Sequence, residues 1–254
     1  MRKAIRTAFS IYSAIPVKNG EWTGDGMAYV LPAMPLIGVV IGAVYVILLL
    51  LMDALHMGFL FRGCVLTAVP ILITGGIHLD GFMDVSDAVH SYGTREERLA
   101  IMKDPHVGAF AIMDTCLYLV VYAGVCSELT SGLMPAAFFV FVLSRALSAL
   151  AAATFPKAKK NGMLHSVAEQ VPGRAVGMIG AEVLASILLA LILGAFAGVF
   201  AAALLMVLAA VLMYVIYFFV MLGLFDGTTG DLAGWFLQLT ELVMILVLVV
   251  VSRM

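Results

Sequence analysis

The chain has 254 residues, 63% of them hydrophobic and 12% charged, at a mean hydropathy of +1.11. A soluble domain carries about 25% charge, so this composition excludes a water-coated globule, and the formal net charge of −2 excludes a basic nucleic-acid binder. Three cysteines, Cys64, Cys116 and Cys126, all sit in apolar stretches, which excludes a disulfide framework and a cysteine metal site.

The opening residues predict a helix lying in the membrane interface. Ile5, Ala8, Phe9, Tyr12 and Ile15 recur at helical spacing opposite Arg2, Lys3 and Arg6, until Pro16 ends the pattern. The apolar patch is too short and too broken by polar residues to read as a cleaved signal. Seven spans are then expected, at Val30–Met52, Gly63–Leu79, Val107–Cys126, Leu133–Phe155, Val176–Gly194, Val199–Leu222 and Ala233–Val251. The second is preceded by Arg62 and interrupted near its end by Gly75 and Gly76, features that fit a helix emerging at the membrane surface. Between Val183 and Phe225 there are 43 residues without a charge, about twice the roughly 20 that one crossing needs, and Gly194 to Gly198 is the natural turn. Strands of a barrel would alternate in polarity, which these runs do not.

The predicted fold is therefore all-α: a polytopic membrane helix bundle of seven transmembrane helices plus an N-terminal interfacial helix. With no repeat and no linker, residues 1–254 are expected to form a single integral-membrane domain. Positive residues test this map, because they accumulate on the cytoplasmic side of span ends. With the N-terminus inside, that side holds Arg2, Lys3, Arg6, Lys18, Arg95, Arg98, Lys103, Lys157, Lys159, Lys160 and Arg174. Only Arg62 and Arg253 fall outside, and Arg145 lies within a span.

Polar residues concentrate on the same side, most densely from Thr74 to Asp87. On a helix, Asp80, Asp84 and Asp87 project within about 60° of one another. Three carboxylates that close repel unless a cation neutralises them, and an all-oxygen donor set favours a hard ion such as Mg²⁺, shared with water and substrate phosphate. The plain alternative is a solvated acidic helix end. Gly75 and Gly76 permit a ligand to approach the backbone, and Arg95, Arg98 and Lys103 offer phosphate-pairing cations beside Asp104. Such a set suits phosphoryl transfer.

A second patch, Asp226 to Asp231, includes Thr229 and Gly230, which can approach and hydrogen-bond a ligand; taken alone it is an ordinary Asp-Gly turn. Asp114, Arg145, Glu182 and Glu241 lie inside spans, where charge is costly. Arg145 is placed to pair with Asp114 or Glu241, and Glu241 is otherwise placed to face a cavity above the first patch. His78 and His106 either bind substrate or cap the interface, while His56 and His165 read as loop residues. Gly38 with Gly42, Gly194 with Gly198, and Gly230 with Gly234 suit close helix packing.

The run Gly75-Gly76-Ile77-His78-Leu79-Asp80-Gly81, followed by Asp84 and Asp87, Arg95 to Arg98, Ile101 to Asp104 and Val107 to Phe110, resembles the cobalamin-5′-phosphate synthases, or adenosylcobinamide-GDP ribazoletransferases. Phe9 to Pro16, Pro35 to Gly38, and Thr229-Gly230-Asp231 with Glu241 extend the resemblance over nearly the whole chain. Ala88 departs from it, standing where the family usually has Gly after the third aspartate. A distant likeness to CDP-alcohol phosphotransferases covers only the Asp84 and Asp87 spacing, with no later Gly-x3-Asp-x3-Asp run.

The resemblance implies an enzyme that joins adenosylcobinamide-GDP to α-ribazole or α-ribazole 5′-phosphate with Mg²⁺, releasing GMP and forming adenosylcobalamin or its 5′-phosphate. It implies a bacterial or archaeal cell membrane protein whose site faces the cytoplasm amid membrane lipid. Asp80, Asp84 and Asp87 would hold the metal. Asp104 or Asp231 would supply a further ligand or the base, and Arg95, Arg98 and Lys103 would pair with phosphate oxygens. The rival classes are a divalent-cation transporter and a CDP-alcohol phosphotransferase-like enzyme of lipid synthesis. Oligomeric state is not legible in the sequence.

Overall fold

In lipid, every peptide group must be bonded within its own segment, so long apolar runs form helices. The computed structural model describes residues 2–17, 24–158 and 162–254, and among these it has twelve α-helices and no sheet. Lys18, Lys159 and Lys160, counted above among the positive residues, lie outside the described residues.

α1 (Arg2–Tyr12) and a single turn, α2 (Asp25–Ala28), precede α3 (Val30–Ala54). α1 keeps Arg2, Lys3 and Arg6 exposed, as expected, but the stripe it buries is Ala4, Thr7, Ala8 and Ile11. This is the predicted stripe turned by one residue, because α1 is laid on α3.

α4 (Phe59–Thr74) and α5 (Ile77–His90) replace the predicted span Gly63–Leu79. α4 starts four residues earlier and stops at Thr74, where Gly75 and Gly76 take φ of +67° and +80°, a left-handed pair that side chains rarely adopt. The two helices meet at 97°. Sixteen residues of α4 rise only about 24 Å, short of the roughly 30 Å hydrocarbon thickness, and α5 turns away from the α4 axis with its carboxylates.

The remaining elements are α6 (Arg95–Ile101), α7 (Ala109–Ser127), α8 (Met134–Thr154), α9 (Met163–Ala168), α10 (Gly173–Phe196), α11 (Phe200–Phe225) and α12 (Gly230–Val251). Among the described residues six helices are long and apolar enough to cross a membrane, and the bent α4/α5 pair makes a seventh crossing if counted as one. The other six predicted spans correspond to α3, α7, α8, α10, α11 and α12.

α8 is central, with 83% of its most apolar window buried, against 17% for α10 and 28% for α11, whose apolar surfaces face outward. Gly38 and Gly42 let α3 come against the backbone of Phe141 and Phe138. Gly194 and Gly234 also pack closely, whereas Gly198 and Gly230 face open space. At one end of the bundle Arg62 pairs with Asp53 and donates to the Leu129 carbonyl, and Arg253 meets Glu128 at 2.6 Å. The opposite end carries α1, α5, α9 and the start of α12.

Arg145 pairs with Glu241 rather than Asp114. Both are completely buried, with Nη1 2.5 Å from Oε1 and Ser144 donating to the same oxygen at 3.0 Å. Asp114 instead lies 3.5 Å from His90, whose ring stacks on Phe110.

Candidate active site

α5 and α12 bring the two polar patches together through a pair of glycines. A Cβ at Gly81 would lie 2.7 Å from the Asp231 carbonyl oxygen, and one at Gly234 would lie 2.9 Å from the His78 carbonyl. Only hydrogen at these positions permits the crossing. It sets His78 and Asp80 of α5 beside Gly230 and Asp231 of α12, and all four line one cavity of about 250 Å³. Tyr12 and Ser148 border it too.

Two depressions adjoin this cavity. One of about 160 Å³ shares Gly230 and Asp231 and adds Lys157, His165, Thr228 and Thr229. The other shares Asp80 and is formed by Gly75, Gly76 and Met83. Asp231 thus stands where the cavity meets the first depression, and Asp80 where it meets the second. Lys157, Ser148 and His165 carried no site signal in the sequence, since Ser148 comes near Asp231 by the packing of α8 on α12, Lys157 by the pairing of its segment with Thr228, and His165 by the placing of α9.

Asp84 is half-buried one turn along α5 from Asp80. Asp87 departs from the expected cluster: its Oδ2 accepts from Gly108 N–H at 2.6 Å and its Oδ1 from Ala111 N–H at 2.8 Å. It caps α7, whose first N–H groups have no partner within the helix. Its carboxylate fits there because Gly108 has no side chain, and a Cβ would lie 2.5 Å from either oxygen. No three His, Cys, Asp or Glu side chains among the described residues gather closely enough to hold one ion. Magnesium, however, commonly takes only one or two carboxylates, the rest being water and phosphate. Asp80 and Asp84 fit that donor set in chemistry and in helical spacing.

The predicted phosphate cations are used differently. Arg95 donates from Nε to the Phe225 carbonyl at 3.1 Å and from Nη2 to the Ala158 carbonyl at 3.0 Å, and lies 3.3 Å from Asp226. Arg98 donates to the Leu224 carbonyl at 3.4 Å. Both therefore hold the carbonyl end of α11, where cations are favoured. Pro156 and Thr228 tie the same loop further, through Thr228 N–H to Pro156 O at 2.8 Å and Ala158 N–H to Thr228 O at 3.0 Å. Gly227, at φ +148°, passes so near that a Cβ would lie 2.5 Å from the Ala158 nitrogen. Thr229 caps α12, accepting from Leu232 N–H at 3.1 Å.

Lys103 and Asp104 are exposed on the turn after α6. Asp104 accepts from His106 N–H at 2.9 Å and lies 2.6 Å from that ring's Nδ1, bonds that hold its carboxyl below the usual range. His106 is accordingly an exposed neighbour of Asp104. Burial pushes the Lys157 ammonium below its ordinary value, which leaves it readier to gain an anionic neighbour.

The chain matches the family model described as cobalamin-5-phosphate synthase over residues 4–249. A protein of Lachnoclostridium phytofermentans named adenosylcobinamide-GDP ribazoletransferase is 40% identical over 237 residues, 92% of this chain and 88% of that one. Relatives with the same name occur in Clostridium perfringens, 35% identical over 58% of this chain and 59% of theirs. Another, in Geobacillus thermodenitrificans, is 35% identical over 66% of this chain and 65% of its own. No solved structure matches. These relatives give no support to a cation transporter or a lipid phosphotransferase.

Proposed function

The chain belongs to the cobalamin-5-phosphate synthase family, and from that premise we propose which side chains carry its reaction. It is an adenosylcobinamide-GDP ribazoletransferase of cobalamin assembly, a membrane-embedded enzyme that joins the adenosylcobinamide phosphate group to α-ribazole and releases GMP.

An acceptor hydroxyl oxygen bonds to the phosphorus attached to cobinamide, the bond from that phosphorus to the GMP oxygen breaks, and the hydroxyl proton is lost. Little covalent work falls to the protein in such transfers; it must place two anions in line and remove a proton. The observation that carries the assignment is that Asp80 and Asp231, from two helices locked at Gly81 and Gly234, line one cavity.

On this reading Asp80 and Asp84 would hold Mg²⁺, which when bound would neutralise the diphosphate and the charge developing on GMP. Asp231 takes the hydroxyl proton, being the remaining carboxylate of the cavity wall. Gly230, with open space where a side chain would be, leaves the N-terminus of α12 uncovered for a phosphate oxygen. Arg95 and Arg98 position the loop that carries Thr228 to Asp231. Lys157, rather than the predicted arginines, lines the same depression as Thr228 to Asp231. Asp104 takes no part in this scheme.

α-Ribazole 5′-phosphate enters as acceptor in the same way. The cavity end faces the cytoplasm, a reading supported by Arg2, Lys3, Arg6, Arg95, Arg98, Lys103, Lys157 and Arg174 at that end against Arg62 and Arg253 at the other. Lipid surrounds the outward faces of α10 and α11. The purified chain, in detergent with Mg²⁺, is expected to form GMP from adenosylcobinamide-GDP only when acceptor is added, read by mass spectrometry. Equal GMP formation without acceptor would make it a hydrolase.

A further inference from the structure

Tyr12 ends α1, far in sequence from the acidic residues, yet three contacts hold it at their cavity. α1 lies on α3 through Ala4, Thr7, Ala8 and Ile11. Beyond it, the Ala14 N–H bonds the Ile73 carbonyl at 2.8 Å, and the α4/α5 kink comes against Ala14 at Gly75. The Tyr12 ring is thereby set facing His78, their planes 18° apart and their centroids 6.3 Å apart. Both rings line the cavity of about 250 Å³, and Leu31, Met34, Ile77 and Ala152 make much of the remaining wall. Asp80 and Asp231 supply its carboxylates.

His78 is only 5% exposed, and its Nε2 is a buried polar atom with no hydrogen-bond partner among the described residues. Buried polar atoms are nearly always paired, so an orphan on a residue that lines a cavity points to a ligand that pairs it. The adjoining depression is of another character, with Lys157, His165, Thr228 and Thr229 in its wall.

Resting on the ribazoletransferase reading above, we propose that the aromatic-walled cavity is the acceptor subsite: the planar base of α-ribazole lies against the Tyr12 ring, and His78 Nε2 hydrogen-bonds the nucleoside. The sugar then lies at the Asp80 and Asp231 end, where its hydroxyl is needed. Size and polarity select this occupant among the groups the reaction brings. A corrin ring is far too large for the space. Guanine's amide and amine would have to pair with Asp80 and Asp231, the carboxylates needed at the reacting groups, whereas the benzimidazole-type base, with no exocyclic donor, leaves them free. Tyr12 is on this account a specificity-determining residue that contacts substrate.

The test is steady-state kinetics with each substrate varied in turn. Loss of a base-stacking ring corresponds to about a five- to hundredfold loss of affinity, so Tyr12→Leu is expected to raise the KM for α-ribazole by about that factor. The KM for adenosylcobinamide-GDP is expected to stay within about twofold of wild type, since the loss is confined to the one ring face, and Tyr12→Phe, which keeps that face, is expected to show an acceptor KM well below that of Tyr12→Leu. Ala152→Phe, which fills the aliphatic wall from α8, is expected to reproduce the acceptor-selective rise without touching α1. An unchanged acceptor KM in both Tyr12→Leu and Ala152→Phe would overturn the proposal, as would an equal rise for both substrates. A rise confined to adenosylcobinamide-GDP would give the cavity to guanosine instead. Failure of the wild-type chain to form GMP at all would overturn the ribazoletransferase reading itself, a result distinct from wild-type turnover with no selective effect.

Discussion

Removing one partner of the Arg145–Glu241 pair should cost far more stability than removing both. Arg145 is 1% and Glu241 0% exposed, and their contact is 2.5 Å. Arg145 Nη1 also donates to the Phe141 carbonyl at 3.0 Å, while its Nε and Nη2 and the second Glu241 oxygen are buried without partners among the described residues. Two charges already incompletely bonded gain little beyond each other. Glu241→Leu therefore strands a guanidinium in the apolar interior, at about 3–5 kcal/mol, whereas Arg145→Met with Glu241→Leu is expected to be neutral or stabilising by about 1–4 kcal/mol. At about 2–4 °C per kcal/mol for a chain of this size, the single variant should lose roughly 6–20 °C in thermal midpoint and the double variant none. Cys126 is completely buried while Cys64 and Cys116 are exposed. In a background with Cys64→Ala and Cys116→Ala, a thiol-reactive dye consequently reports unfolding through one residue. Equal midpoints for the single and double variants, or a double variant less stable than the single, would refute the reasoning.

Four other outcomes follow from the geometry. Asp87→Ala should lower the midpoint by roughly 2–8 °C, the worth of about 1–2 kcal/mol for a lost helix cap. Asp80→Asn should leave the midpoint in place while cutting GMP formation by about 10²- to 10³-fold; the reverse pattern would contradict both roles. Arg95→Lys should speed amide exchange at Thr228 about tenfold, because a single ammonium cannot bridge the Phe225 and Ala158 carbonyls as the guanidinium fork does; exchange at the wild-type rate would count against the latch. The Thr94 N–H, 2.6 Å from the Glu97 carboxylate, holds that carboxyl below its ordinary 4.5. A depressed pKa contributes stability above the unfolded value that is lost as pH falls through the folded one. Protection of the amides at the start of α6, taken relative to their intrinsic exchange rates, should thus be flat near neutrality and fall only in acid below the usual carboxylate range, and a loss already at pH 6 would be inconsistent with it.

The apolar runs were legible in the sequence because a membrane helix needs little beyond length and hydropathy. The α4/α5 boundary was less so: a glycine pair reads as an interruption, and only two consecutive left-handed residues turn it into a 97° bend. Helical spacing placed Asp80, Asp84 and Asp87 on one face but could not reveal what that face meets. The N-terminus of α7, 21 and 24 residues away, claims Asp87. Arg95 and Arg98 were drawn in the same way to the free carbonyls of α11, 130 and 126 residues away. The family motifs were readable throughout, and the family match covers residues 4–249. Tyr12, seen in the sequence only as part of an apolar stripe, acquires its place at the cavity from the docking of α1.

The account rests most heavily on Asp80 as an ion ligand where the phosphoryl group is transferred. Its direct test is the rate of GMP formation by Asp80→Cys, in the Cys64→Ala and Cys116→Ala background, with Mg²⁺ alone and with Cd²⁺ added. Thiolates favour soft ions over Mg²⁺. The predicted result is a variant nearly inactive in Mg²⁺ and restored by Cd²⁺, while Cd²⁺ gives no gain to the parent carrying Asp80. A variant as active as its parent in Mg²⁺, or one that Cd²⁺ leaves inactive although its thermal midpoint is unchanged, would contradict the assignment.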